Sequence, residues 1–278
     1  VDDGIANPCT GALSASPAPQ AGEPAWPADE ERRFGGLRRL MGATAYARLR
    51  QLRVAVVGLG GVGSWAVEAL ARNGVHTLVL IDMDHVAESN INRQVQALGR
   101  TVGQAKAEAL RERIADIHPG ARVTVVDDFV SPENWPALLP EPVDVLIDAC
   151  DQVKAKLALA AWARQAGVGL VCCGAAGGKR QPERLEVADL ADATHDPLLA
   201  ALRQRLRQQH GAPRQGKLQV RCVFSREPVL PPQDGSCSVD GTLNCHGYGS
   251  SVMVTASMGL LAAAQAVELG LPMAVQAG

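Results

Sequence analysis

Two rhythms of apolar positions alternate along this chain. Runs of four or five mostly apolar residues at 54–57, 77–81, 122–126, 143–147 and 169–173 have the length of buried strands. Stretches at helical spacing separate them. Val62, Trp65, Ala66, Ala69 and Leu70 share one face before an Asn73-Gly74 stop, and Ala105, Ala109, Leu110, Ile114 and Ile117 share another within 103–117. A further helix is expected over 154–165, and an arginine-rich one over 37–52 should lie on the domain that follows. Strands and helices alternating at these lengths predict a doubly wound, Rossmann-like, mostly parallel α/β sheet with right-handed crossovers.

Beyond residue 180 the rhythm loosens into short strands at 185–187 and 218–224, a basic helix over 196–210, and a loop rich in Pro, Gly and Ser over 227–244. An apolar helix over 250–269 closes the pattern. No flexible linker intervenes, so residues 29–278 read as a single domain: a nucleotide-binding core over 29–180 and a C-terminal elaboration over 181–278. Residues 1–28, rich in Ala, Pro, Gly and Ser without an apolar period, are expected to form a disordered leader.

The run at 54–57 feeds Gly58-Leu59-Gly60-Gly61-Val62-Gly63-Ser64, and a helix follows at once. A strand, a glycine turn and a helix N-terminus aim backbone N–H groups at an anion, and missing side chains let a phosphate come close. The same glycines also suit a turn that needs them only for packing. Gly58-x-Gly60-x-x-Gly63 fits a dinucleotide fingerprint, and Asp82 ends the next strand where a ribose-binding acid belongs. Three features point away from hydride transfer. Asp84 adds a second carboxylate, Asn90-x-Asn92-Arg93-Gln94 offers donors for phosphate oxygens, and Asp151 ends a later strand where a carboxylate suits Mg²⁺ on a triphosphate. Together they fit nucleotidyl transfer from ATP.

These residues, with Lys106 and Asp148-x-x-Asp151, resemble the E1-like (ThiF/MoeB/HesA) adenylating superfamily. Arg33-Phe34-Gly35-Gly36, Gly174-Ala175-Ala176-Gly177-Gly178, Asp196-Pro197-Leu198, Cys222-Val223-Phe224-Ser225 and Asp234-Gly235-Ser236-Cys237 look like its tRNA threonylcarbamoyladenosine dehydratase subgroup. The resemblance covers about residues 30 to 270 and implies an ATP-dependent enzyme. It would activate the threonylcarbamoyl carboxylate as an acyl-adenylate, then close a ring with release of AMP. By the same resemblance Gly60 and Gly61 lie under the phosphates and Asp82 holds the ribose. Arg93 and Lys106 neutralise phosphate charge, Asn90 and Gln94 assist by hydrogen bonding, and Asp151 holds Mg²⁺. Arg33 matches a position from which related homodimers donate an arginine into the neighbouring site, and residues 181–278 serve substrate binding and dimerisation. Plainer roles compete: Asp82 capping a strand-end turn, Lys106 solvated midway along its helix, Asp151 N-capping the helix after it, Arg33 on a solvated face.

Charge and cysteines refine the picture. The net charge is −2, so any tRNA contact needs a local basic patch. Residues 197–226 contain no acid and carry Arg203, Arg205, Arg207, Arg214, Lys217, Arg221 and Arg226. Of these, Arg203, Arg207, Arg214, Lys217 and Arg221 are the candidates for the phosphate backbone, with an ordinary solvated basic helix as the alternative. Seven cysteines, an odd number with no Cys-x-x-Cys and no secretory leader, indicate free thiols in the cytoplasm and argue against a structural zinc. Cys237 is the one candidate for reactivity; Cys150, Cys172 and Cys173 belong to the core. The stretch 252–271 reads as a core helix rather than a membrane span. Two other readings stand beside the dehydratase: activation of the C-terminus of a ubiquitin-like sulfur carrier, and an ATP-sensing scaffold. A cysteine desulfurase or sulfur-relay partner is left open.

Overall fold

The strand at Arg53–Val57 (β1) shows how this sequence builds its core: Val54 and Val56 join one apolar cluster and Ala55 and Val57 the other. A strand buried on both faces needs apolar residues at successive positions. The computed structural model describes residues 29–231 and 248–271. Around β1 the elements run α1 (Glu30–Met41), α2 (Ala43–Gln51), β1, α3 (Gly63–Arg72), β2 (Thr77–Ile81), α4 (Lys106–Ile117), β3 (Arg122–Val126), β4 (Val145–Asp148), α5 (Val153–Ala166) and β5 (Gly169–Cys173). β6 (Leu185–Asp189), α6 (Pro197–Gln209), β7 (Arg221–Ser225) and α7 (Val252–Gly270) complete the described chain.

The strands form one sheet in the order β3-β2-β1-β4-β5-β7-β6, parallel except where β6 meets β7. The chain leaves β1 toward β2 on one side and returns to it through β4 on the other. That reversal opens a crevice beyond the carboxyl ends of β1 and β4, where open α/β sheets bind ligands. α7 packs on α3 so closely that a Cβ on Gly259 would lie 2.4 Å from the Val62 carbonyl oxygen. It is long and apolar enough to cross a membrane, yet Val254, Met258, Ala262 and Ala266 are buried in the protein core.

Several expected boundaries move, each for a local reason. The helix expected over 37–52 is two helices, because Gly42 (φ 82°) breaks the path and Asp29 caps an earlier start by accepting from Arg32 N–H. α4 begins at Lys106 rather than 103, since Gly103 has φ 89°. β7 begins at Arg221 rather than 218: Gln219 has φ 61°, and Leu218 and Gln219 donate their N–H groups to the Asp189 carboxylate.

α1 docks partly through His118, just past α4. The His118 ring is buried edge-on against Phe34 (4.8 Å between centroids) and near His76 (5.8 Å). Burial, reinforced by Arg50, holds its pKa below the ordinary histidine value, against the opposing pull of Glu30. A depressed folded-state value favours neutral imidazole, so this contribution is complete above the unfolded pKa of about 6.5 and is lost as pH falls through the window beneath it. Thermal melts between pH 7.5 and 5.5 should show Tm falling in the wild type and falling less in His118→Leu. Equal slopes would remove His118 from the acid response.

Candidate adenylate site

The four glycines of the turn have different jobs. Gly58 takes φ 84°, and a Cβ there would meet the Cys150 nitrogen at 2.8 Å. A Cβ on Gly63 would lie 1.8 Å from the Gly58 carbonyl oxygen, and one on Gly61 would lie 3.0 Å from Thr255 Cγ2 and 3.4 Å from Arg93 Cδ. These three close the turn against β4's loop, against itself and against α7. A Cβ on Gly60 would meet nothing within 4 Å. Gly60 is therefore the position from which a phosphate can reach the backbone at the start of α3.

Two side chains brace the turn from below. Asp82 accepts from Leu59 N–H through Oδ2 (2.6 Å) and from Asp84 N–H through Oδ1 (2.8 Å). Burial raises its pKa, opposed by Lys106 and these two N–H donors. The capping role foreseen as a rival is present, and each carboxylate oxygen keeps lone-pair capacity for a hydroxyl. Gln96, which the sequence reading missed, donates from Nε2 to the Leu59 carbonyl at 2.9 Å and to Gln94 Oε1 at 3.3 Å. Only its place two residues beyond Gln94 could have signalled it.

Arg93 is buried beside Gly61. Its Nη1 donates to the Ser89 carbonyl (2.7 Å) and Asn92 Oδ1 (2.9 Å), while its own carbonyl accepts from Trp65 Nε1 (3.0 Å). Asn90 spends Oδ1 on Ala87 N–H at 3.0 Å, shaping the loop that carries Arg93. Lys106 is neither mid-helix nor solvated. It opens α4, is buried, and pairs with Asp84 Oδ2 at 2.6 Å. Asp84 is thus the counterion of Lys106.

Asp151 is exposed and has no hydrogen-bond partner among the described residues. It is not the N-cap of α5, a position that Gln152 occupies. No group of three potential ligands for a metal exists among the described residues. One free carboxylate beside a phosphate cradle still fits Mg²⁺, which takes one or two carboxylates and completes its shell with phosphates and water.

Other expected site residues lie elsewhere. Arg33 donates from Nη1 to the carbonyls of Asp116 (2.5 Å) and Ile117 (2.7 Å). Those carbonyls end α4, roughly 16 Å along the helix from Lys106 at its start, so Arg33 does not enter its own chain's crevice. Arg203 donates to the Leu190 and Ala193 carbonyls, Arg207 to the Pro213 carbonyl, and Arg221 to Gln265 and Glu268 on α7. Arg214 and Lys217 are exposed without partners among the described residues. They precede β7, at the amino edge of the sheet, opposite the glycine turn. Exposed cations on the carboxyl edge include Lys154, in the first turn of α5, and Arg180, just past the glycine loop that follows β5. Cys237 lies outside the described residues. Burial pushes the half-buried Cys150 and the buried Cys173 thiols up, and for Cys172 the neighbouring Cys222 thiol does so first, with burial added, which keeps all three protonated and inert.

The ThiF family model matches residues 35–271. The chain belongs to the ThiF family. Among curated relatives, tRNA threonylcarbamoyladenosine dehydratase of Escherichia coli is 45% identical over 257 residues, covering 88% of this chain and 96% of that protein. The Haemophilus influenzae protein of the same name is 42% identical over 242 residues, covering 86% and 93%. The crystal structure of the E. coli dehydratase TcdA in complex with ATP superposes with a TM-score of 0.79 at 43% identity, covering 89% of this chain and 97% of that one. Molybdopterin-synthase adenylyltransferase of E. coli is 39% identical, but over only 44% of this chain and 49% of its own length. For this ThiF-family chain the likeness to the dehydratases therefore spans most of its length, and that to the adenylyltransferase less than half.

Proposed function

We propose that this chain is an ATP-dependent tRNA threonylcarbamoyladenosine dehydratase. The carboxylate of the threonylcarbamoyl group attacks the α-phosphorus of ATP and displaces pyrophosphate. The carbamoyl group then attacks the resulting acyl-adenylate, AMP leaves, and the base has lost one water. The observation that carries this reading is the open face of Gly60, with Arg93, Lys106 and Asp151 on the same carboxyl edge. Such an arrangement works by positioning and by offsetting charge at the α-phosphate. Asp82 would receive the ribose, and Asp151 would hold Mg²⁺, which screens the phosphate charge when bound. Lys106 would turn from Asp84 toward phosphate. In a homodimer Arg33, held at the end of α4 through Nη1 alone, would serve the crevice of the other protomer rather than its own. A tRNA substrate puts the reaction in the cytoplasm.

The test incubates the protein with ATP, Mg²⁺ and tRNA bearing the modified base, then weighs the digested nucleosides. Loss of one water is expected. No such loss, together with pyrophosphate exchange driven by a ubiquitin-like carrier protein, would transfer the chain to the carrier-activating branch.

For tRNA, Arg214 and Lys217 are the exposed cations of the basic stretch without partners among the described residues; Arg205, half-buried on α6, has none either. At the amino edge they would grip backbone away from the modified base. Each phosphate contact contributes about one to the log–log dependence of affinity on salt. Arg214→Ala/Lys217→Ala should therefore lower that slope by about 2 in filter-binding titrations. An unchanged slope would take this loop off the tRNA.

A further inference from the structure

Beneath the crevice lies a fully buried ion pair that the adenylation chemistry does not use. Lys156, on α5, and Asp148, the last residue of β4, are each 0% exposed, with Nζ and Oδ1 3.1 Å apart. Lys156 also donates to the Cys173 carbonyl at 2.7 Å, tying the end of β5 to the end of β4. The Asp148 carboxylate collects further donors: Cys150 N–H at 3.2 Å, Cys150 Sγ at 2.9 Å and Cys172 Sγ at 3.2 Å. Burial works against the ammonium, but Asp148 holds it well above the ordinary lysine value.

Residues held this way touch the active site. The Ala149–Cys150 backbone is the wall that a Cβ on Gly58 would strike, and Ala149 Cβ is the surface 3.2 Å from a Cβ on Gly63. Asp151 follows Cys150 and has no anchor of its own among the described residues. We propose that Lys156 and Asp148 are positioning residues: their buried pair fixes the loop at 149–151, and with it the Asp151 carboxylate facing the nucleotide. A buried pair kept only for stability is a poor bargain, because apolar residues of similar volume usually serve as well or better. Its placement under the loop that carries Asp151, a carboxylate without a partner among the described residues, gives it a use.

The inference rests on Asp151 serving Mg²⁺, and the experiment separates the two. Isothermal titration gives the affinity for ATP with and without Mg²⁺, independently of turnover. In the wild type Mg²⁺ should tighten ATP binding. Lys156→Met leaves Asp148 buried without its counterion and should lose stability, so the informative variant is Asp148→Leu/Lys156→Met. Both charges are gone there, and Tm should stay near the wild-type value. Cys150 N–H then has no acceptor, and the Mg²⁺ enhancement should fall at least tenfold while metal-free ATP affinity holds. Asp148→Asn/Lys156→Met restores an acceptor for that N–H and should recover part of the enhancement. A purely structural pair predicts wild-type enhancement in the double variant, which would overturn the inference alone. No enhancement in the wild type would remove the metal role of Asp151, and the inference with it.

Discussion

Arg93→Ala is expected to cut AMP formation from ATP and modified tRNA by about 10²–10³-fold, the cost typical of removing one preorganised charge-stabilising donor. The side chain is not a mobile surface arginine. Nη1 is fixed by the Ser89 carbonyl and Asn92, and Cδ lies where Gly61 has no side chain. A guanidinium already ordered in a buried setting loses little further entropy when charge develops on the α-phosphate. Arg93→Lys should recover little, because a single ammonium cannot keep both loop contacts and reach phosphate. Single-turnover AMP release, compared with ATP affinity by titration, separates a chemical defect from a binding one. Activity within a few-fold of wild type would place Arg93 outside the site.

Most of the fold was legible because both of its rhythms are enforced by burial. β2 and β5 fall on the expected residues, since strands buried on both faces leave a nearly continuous apolar run, and the half-buried edge strand β3 does so through its valines. The misplaced boundaries sit at backbone conformations that hydropathy does not encode, Gly42, Gly103 and Gln219 among them. The candidate site can be read from the sequence as a set of residue types but not as a network. Asp84, proposed as a second nucleotide ligand, is the counterion of Lys106. Arg203 and Arg221 count as cations in a basic stretch, yet one fastens a loop and the other pairs with Glu268. Gln96 and Lys156 gave no signal because their work is done through contacts 37 and 17 residues away in the chain. Net charge along a segment says nothing about which charges are already spent.

The glycine turn supplies the second large effect, through the contrast between two alanine substitutions. Gly60→Ala should leave the fold intact, because the new methyl enters open space and Gly60 is not among the residues with positive φ. Its stability change should stay within about 0.5 kcal/mol, as for a surface substitution. The same methyl occupies the volume a phosphate needs, so ATP affinity should fall by at least about tenfold, or about 1.4 kcal/mol. Gly63→Ala places its methyl 1.8 Å from the Gly58 carbonyl oxygen, within the turn itself. Relief requires moving β1's exit or the start of α3, so this variant should lose stability as well as ATP binding. Thermal melts paired with ATP titrations distinguish the two. If Gly60→Ala binds ATP as the wild type does, the nucleotide does not lie over that residue.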